Sequence, residues 1–238
     1  MLKGSSDYFG INFYTGRMTA EPRTTRLLAA LPSLARMGRG EPFGLLGVLS
    51  QAWTTKRLKE GPGNYFEDIY ALPSFRWSWV TTAMTWPLVP WALARILVYI
   101  SETYNPAGGI YITENGVAVS GEDDVKDACD TRPGKPGAQR IAHLRSHLTA
   151  VQKAIARGAD VRGYFLWSFM DNFEWAFGYA KRFGLIHVDY QTLVRTPKPV
   201  AQAYRAIIEA NGVRPNDAKE AALDPFALEA LDSRVAQW

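Results

Sequence analysis

Runs of β-branched and aromatic residues alternate along this chain with segments whose apolar residues recur at helical spacing. No other feature limits the fold as much. Asp7 to Tyr14 (DYFGINFY) is aromatic and β-branched, with Gly-Ser-Ser before it and Thr-Gly after, and reads as a strand. Leu93, Ile96, Leu97 and Ile100 recur at i, i+3, i+4 and i+7, marking an amphipathic helix that starts after Pro90. Ile110 to Thr113 is a short apolar strand set off by Gly108 and Gly109. Ile141, Leu144, Leu148, Val151 and Ile155 then line one face of a long helix that ends at Gly158. Val161 to Trp167 (VRGYFLW) is a third strand, and Pro199 to Ala210 a third helix, stopped by Asn211-Gly212.

Strand, helix, strand, helix, strand, helix is the order of parallel strands joined by right-handed crossovers. One stretch, GGIYITENGVAVS (108–120), admits two readings. Asn-Gly between alternating apolar residues is a hairpin signal. The same residues also read as a buried parallel strand that ends at the carboxylate of Glu114. The helix that follows favours the second reading and leaves the first open. Each strand ends in a residue able to bind or react: Tyr14, Glu114 and Trp167, the last followed by Asp171, Glu174 and Trp175. In a (β/α) barrel the active site is built at those strand ends. The pattern is that of such a barrel, with three βα units of it present.

Residues between the first strand and about Trp79 form a long irregular stretch with short apolar pieces at Leu27–Leu34 and Phe43–Leu49, the kind of insertion that is functional or locally helical. Many basic residues lie between Arg17 and Lys59. They do not interleave with aromatics at nucleic-acid-like spacing, so they read as a solvated basic loop and no nucleic-acid partner is expected. Residues 119–138 are charged and rich in Gly and Pro, a surface loop. Cys129 is the single cysteine, which excludes an internal disulfide and favours a reducing compartment. Met1-Leu-Lys-Gly-Ser-Ser carries no signal-peptide core, so a cytoplasmic or organellar location is expected. Trp86 to Ile100 is too short, and too interrupted by Pro87, Pro90 and Arg95, to span a membrane. Asp224-Pro225 reads as the cap of a short last helix within a C-terminal extension, residues 213–238.

Three segments resemble family 1 glycoside hydrolases, the β-glucosidase family: YITENG (111–116), GYFLWSFMDNFEWAFGYAKRFGLIHVDY (163–190) and DYFGINFYT (7–15). The resemblance continues through DVRGYF (160–165) and Thr196-Pro197-Lys198, from Ser5 to about Asn211. It implies a partial (β/α)8 barrel over residues 1–212, strands six to eight of the family's eight, with a long loop at about 16–79. It further implies retaining hydrolysis of β-glucosides or related sugars, without cofactor or metal. Glu114 would be the nucleophile and Tyr14 its hydrogen-bond donor; Glu174 and Trp175 would hold the sugar hydroxyls and Trp167 would lie beneath the ring. Trp86 would flank the leaving group, and Phe183 would complete the substrate-binding set. Phe13 stands where the family often has Tyr, and Ala92 where Gly is usual.

A retaining glycosidase needs a second carboxyl group about 5–5.5 Å from the nucleophile, protonated to serve the leaving oxygen. In the family it belongs to a Thr-Phe-Asn-Glu-Pro motif, and no Asn-Glu-Pro occurs in this sequence. Glu174 would lie on the far side of the sugar, and Asp171 reads as structural. The chain alone is therefore expected to be inactive. Three roles follow: a piece of a β-glucosidase, half of a split barrel completed by another polypeptide, or a non-catalytic sugar-binding or structural subunit whose open sheet edge is covered by a partner or another copy. Plainer readings compete for individual residues. Core packing is the default for Trp167, Trp175 and Phe183, Arg182 is a candidate ion-pair partner for Glu174, and His143 and His147 read as surface or packing residues without a third metal ligand.

Overall fold

The computed structural model describes residues 4–16, 18–20, 72–74 and 80–213. The chain divides into two compact units, Met1–Gly16 with Ser78–Trp238, and Arg17–Trp77. In order, the elements are β1 (Phe9–Asn12), β2 (Met18–Ala20), β3 (Leu72–Ser74), α1 (Pro90–Tyr104), β4 (Ile110–Asn115), α2 (Val125–Ala128), α3 (Pro136–Ala156), β5 (Val161–Leu166), β6 (Ile186–Val188), β7 (Arg195–Pro197) and α4 (Pro199–Ala210). The second unit is described through β2 and β3, which pair antiparallel with Met18 opposite Ser74. The apolar pieces expected at 27–34 and 43–49, and the last helix expected near Asp224, lie outside the described residues.

In the first unit β1, β4 and β5 form a parallel sheet in the order β1-β4-β5. The stretch around Glu114 is thus a central parallel strand and not a hairpin. Parallel neighbours need crossovers, and α1 and α3 supply them. α1, α3 and α4 each begin with Pro at the first turn, where the missing N–H has no intrahelical partner to lose. α1 and α4 stop at Asn105 and Asn211, both left-handed, with φ of 44° and 49°. Leu93, Leu97, Ile110, Ile112 and Ala150 have no exposed surface and knit both helices to one face of the sheet. Each of the larger ones contributes about 1.5–3 kcal/mol by leaving water.

His143 and His147 belong to this packing. They are buried, their rings stack at 4.0 Å, and His147 Nδ1 lies 2.9 Å from its own helix's His143 carbonyl. Burial lowers both pKa values, His147 to about 4, and the two Nε2 atoms have no hydrogen-bond partner.

Two segments between the long elements hold short elements of their own. Residues 119–138 hold the short α2, capped by the Asp124 side chain on Lys126 N, and begin α3. They also bury Glu122 against Arg140. The segment after β5 contains a hairpin, β6 with β7, whose three-residue strands are too short to show alternation. Among the described residues no helix is long and apolar enough to cross a membrane.

Candidate functional site

Beyond Ile112, β4 carries one residue more than the facing stretch of each neighbour. Ile11 faces Ile112, but Asn12 faces Glu114; Tyr164 faces Ile112, but Leu166 faces Asn115. The extra residue at Thr113–Glu114 is a bulge, which re-aims the side chains beyond it. Thr113 turns outward and bonds Asn12 Oδ1 at 2.5 Å, while Asn115 turns fully inward. Asn115 Nδ2 donates to the Phe13 carbonyl at 2.7 Å, and its Oδ1 accepts from Tyr164 at 2.7 Å. The Asn115 carbonyl then accepts from Trp167 N at 2.9 Å. One buried amide thus ties together the ends of all three strands. The sequence alone showed Asn115 only as half of a turn dipeptide, and nothing in it points to this role.

Glu114 follows from that bracing. Tyr14 Oη donates to Glu114 Oε2 at 2.5 Å. Burial, the bond to Glu114 and the charge of that carboxylate all raise the Tyr14 pKa, so the phenol stays protonated as a donor. Its ring is held by Trp86 at 5.6 Å and, edge-on, by Phe183 at 6.0 Å.

Trp167 and Glu174 complete the group. The Trp167 side chain hydrogen-bonds the Glu174 carboxylate. Partial burial raises the Glu174 pKa; the Trp167 bond opposes this, and the negative charge of Glu114 adds to it. Glu114 and Glu174 therefore share one electrostatic site. A Cβ on Gly116 would collide with the Trp167 carbonyl oxygen, so glycine is what lets Trp167 lie against the end of β4.

The seven expected site residues are not equivalent in place. Tyr14, Trp86, Glu114, Trp167 and Glu174 converge. Trp175 stands 82% exposed at the head of a single 3-10 turn. Phe183 is 2% exposed, so its ring backs Tyr14 and Trp86 and presents no free face to a ligand. Arg182 does not pair with Glu174. It lies 2.8 Å from Asp171, which is itself buried and also bound by Lys198 at 3.1 Å. Asp171 is fully committed and offers no proton to a ligand. A cleft of about 500 Å3 lined by Asp123, Arg182, His187, Tyr190 and Thr196 shares no residue with the Tyr14–Glu114 group.

The sequence profile of Glycosyl hydrolase family 1 matches residues 1–213. The chain is 46% identical over 138 residues to a bifunctional β-D-glucosidase/β-D-fucosidase of Bifidobacterium breve, covering 56% of this chain and 28% of that protein. It is 34% identical over 212 residues to β-glucosidase 44 of Arabidopsis thaliana, covering 89% of this chain and 35% of that one. A β-glucosidase from Thermotoga maritima, solved in complex with a substituted glucoimidazole, superposes with a TM-score of 0.60 at 29% identity, over 87% of this chain and 36% of that chain. The chain thus spans roughly a third of the length of these relatives.

Proposed function

The chain belongs to glycosyl hydrolase family 1, and on that premise we propose that it carries the nucleophile and sugar-holding part of a retaining β-glucosidase site. The observation that carries the reading is Tyr14 Oη on Glu114 Oε2 at 2.5 Å, with Glu174 in electrostatic reach of both. Tyr14 occupies one lone pair of the nucleophilic carboxylate and orients it. The other oxygen of Glu114 attacks the anomeric carbon, forming the glycosyl ester as the bond to the aglycone oxygen breaks. Glu174 and Trp175 hold the sugar hydroxyls, Trp167 lies beneath the ring, Trp86 flanks the leaving group, and Phe183 backs Tyr14 and Trp86.

The leaving oxygen needs a proton, and neither Glu174 nor Asp171 is placed to give it. General acid catalysis contributes about 10²–10⁴-fold. We assign that step to a residue that this sequence does not contain, on another strand of the barrel, with β1, β4 and β5 taken as its sixth to eighth strands. A second reading, a subunit completed by another polypeptide or another copy, draws support from the sheet itself. Both outer strands, β1 and β5, lack a further partner among the described residues, and Tyr8 and Phe165 are 58% and 57% exposed. Parallel sheets are ordinarily covered on both faces, and open edges invite pairing.

The test uses a substrate whose leaving group needs no acid. Incubation with 2,4-dinitrophenyl 2-deoxy-2-fluoro-β-glucoside should add one fluoroglucosyl mass to the intact chain, on the peptide that contains Glu114. Glu114→Gln should abolish the adduct. An unlabelled wild-type chain, or a label that survives Glu114→Gln, overturns the nucleophile assignment. An aryl β-glucoside with a poor leaving group should be left intact by the chain alone.

A further inference from the structure

Between Asp171 and Arg182 runs a loop that contains Glu174 and Trp175 and exposes Phe173, Phe177 and Tyr179. Outside the loop, its middle meets the Trp167 side chain at Glu174 and the Tyr190 ring, 4.4 Å from that of Tyr179. Glu174 N donates to Gly178 O at 2.7 Å and Phe177 N to Glu174 O at 2.8 Å, bonds internal to the loop. Its feet are held differently. Asp171 Oδ2 accepts from Arg182 Nη1 at 2.8 Å, joining one foot to the other. Asp171 Oδ1 accepts from Gly184 N at 2.9 Å and from Lys198 Nζ at 3.1 Å. Arg182 also donates to the Val188 carbonyl at 2.8 Å and lies 4.5 Å over the Tyr190 ring. Arg140, bound to Glu122, donates to the carbonyls of Arg182 and Phe183.

The cluster sets three cations, Arg140, Arg182 and Lys198, against two carboxylates, Glu122 and Asp171, with all five side chains nearly or fully buried. Such burial is a poor source of net stability, since apolar residues of the same volume serve as well or better. Lys198 is placed worse still, because it caps the N-terminus of α4, where the helix dipole already repels a cation. What the cluster supplies is a single geometry: planar guanidinium and carboxylate groups fix direction as well as distance. That geometry is imposed at the two ends of the loop bearing Glu174.

We infer that Asp171 is a positioning residue for sugar binding: by joining Arg182 and Lys198 it closes the loop that presents Glu174 and Trp175. This rests on the reading that Glu174 and Trp175 hold the sugar, and the two arms of its test separate the claims. The first arm needs no ligand. In the full chain, Asp171→Asn should raise hydrogen exchange of the Glu174, Phe177 and Gly178 amides by at least about tenfold, with α3 amides unchanged. Arg182→Lys, which keeps a donor and a charge, should retain most of the protection that Arg182→Gln loses. The second arm titrates methyl β-D-glucoside against tryptophan fluorescence. Affinity should fall by at least about tenfold in Asp171→Asn and recover toward wild type in Arg182→Lys relative to Arg182→Gln.

Should Asp171→Asn fail to fold, the Asp171→Asn/Lys198→Met double variant, which leaves two cations and one carboxylate and so keeps the wild-type excess of one positive charge, replaces it in both arms. Unchanged loop exchange in a folded variant overturns the closure, and so does exchange that rises equally in α3. Undiminished affinity with a loosened loop overturns the link to sugar binding. A wild-type chain that shows no glucoside binding refutes the sugar role of the loop while the exchange arm still decides its closure.

Discussion

Acid should destabilise this protein well above the carboxylate range, because of His143 and His147. Burial keeps both rings neutral in the folded chain, and His147 has its pKa lowered from 6.5 to about 4. Because the folded value lies below the unfolded one, the unfolded chain takes up the proton first as pH falls. Stability therefore drops from about pH 6.5 downward and stops dropping only below the folded pKa. At pH 5 the difference for His147 amounts to about 2 kcal/mol, and a pKa unit corresponds to about 1.36 kcal/mol. His143 acts with the same sign, and with rings 4.0 Å apart the charging of one opposes the charging of the other. The ceiling for each at pH 5 is set by the unfolded pKa, so the pair contributes about 2–4 kcal/mol in all. Urea unfolding followed by tryptophan fluorescence at pH 7 and pH 5 measures it. The double variant His143→Leu/His147→Leu should show a much flatter pH dependence, while His187 and the carboxylates contribute alike to both proteins. Equal pH dependence in wild type and variant refutes the reasoning.

Three further outcomes are expected. Tyr14→Phe removes a hydrogen bond to a charged carboxylate and should slow labelling of Glu114 by about tenfold or more, since such bonds contribute about 1.5–3 kcal/mol. Asp171→Asn strands Arg182 and Lys198 without their shared anion and should cost about 3–5 kcal/mol in urea unfolding; Lys198→Met, which leaves two guanidinium groups facing two carboxylates, should cost far less. Gly116→Ala should destabilise by at least about 2 kcal/mol and shift tryptophan emission, because the added methyl meets the Trp167 carbonyl.

Much of the architecture is legible in the residues, because it is written in local terms. Pro90 and Pro199 open helices and Asn211 closes one, and periodic apolar residues place α1 and α3 against a sheet. Alternation of strands and helices made β4 a parallel strand, and motif resemblance brought Tyr14, Glu114, Trp167 and Glu174 to notice as a group. Short elements escaped: α2 and the β6–β7 hairpin have too few residues to display a period.

The partners of the charged side chains were not legible at all. Arg182 stands eight positions from Glu174 and eleven from Asp171, and sequence distance does not choose between them. Packing does: Asp171 is drawn inside, where an unpaired carboxylate is intolerable, while Glu174 stays partly in water and needs only the Trp167 side chain. The same holds for Phe183, an aromatic in a binding motif that proves to be wall rather than surface, and for the bulge that turns Asn115 inward. Periodicity, capping and turn chemistry act over a few residues and are carried by the sequence itself. Which groups lose their water, and which partner then becomes obligatory, depends on segments a hundred residues apart, as Tyr14 and Glu114 are, and only the folded chain decides it.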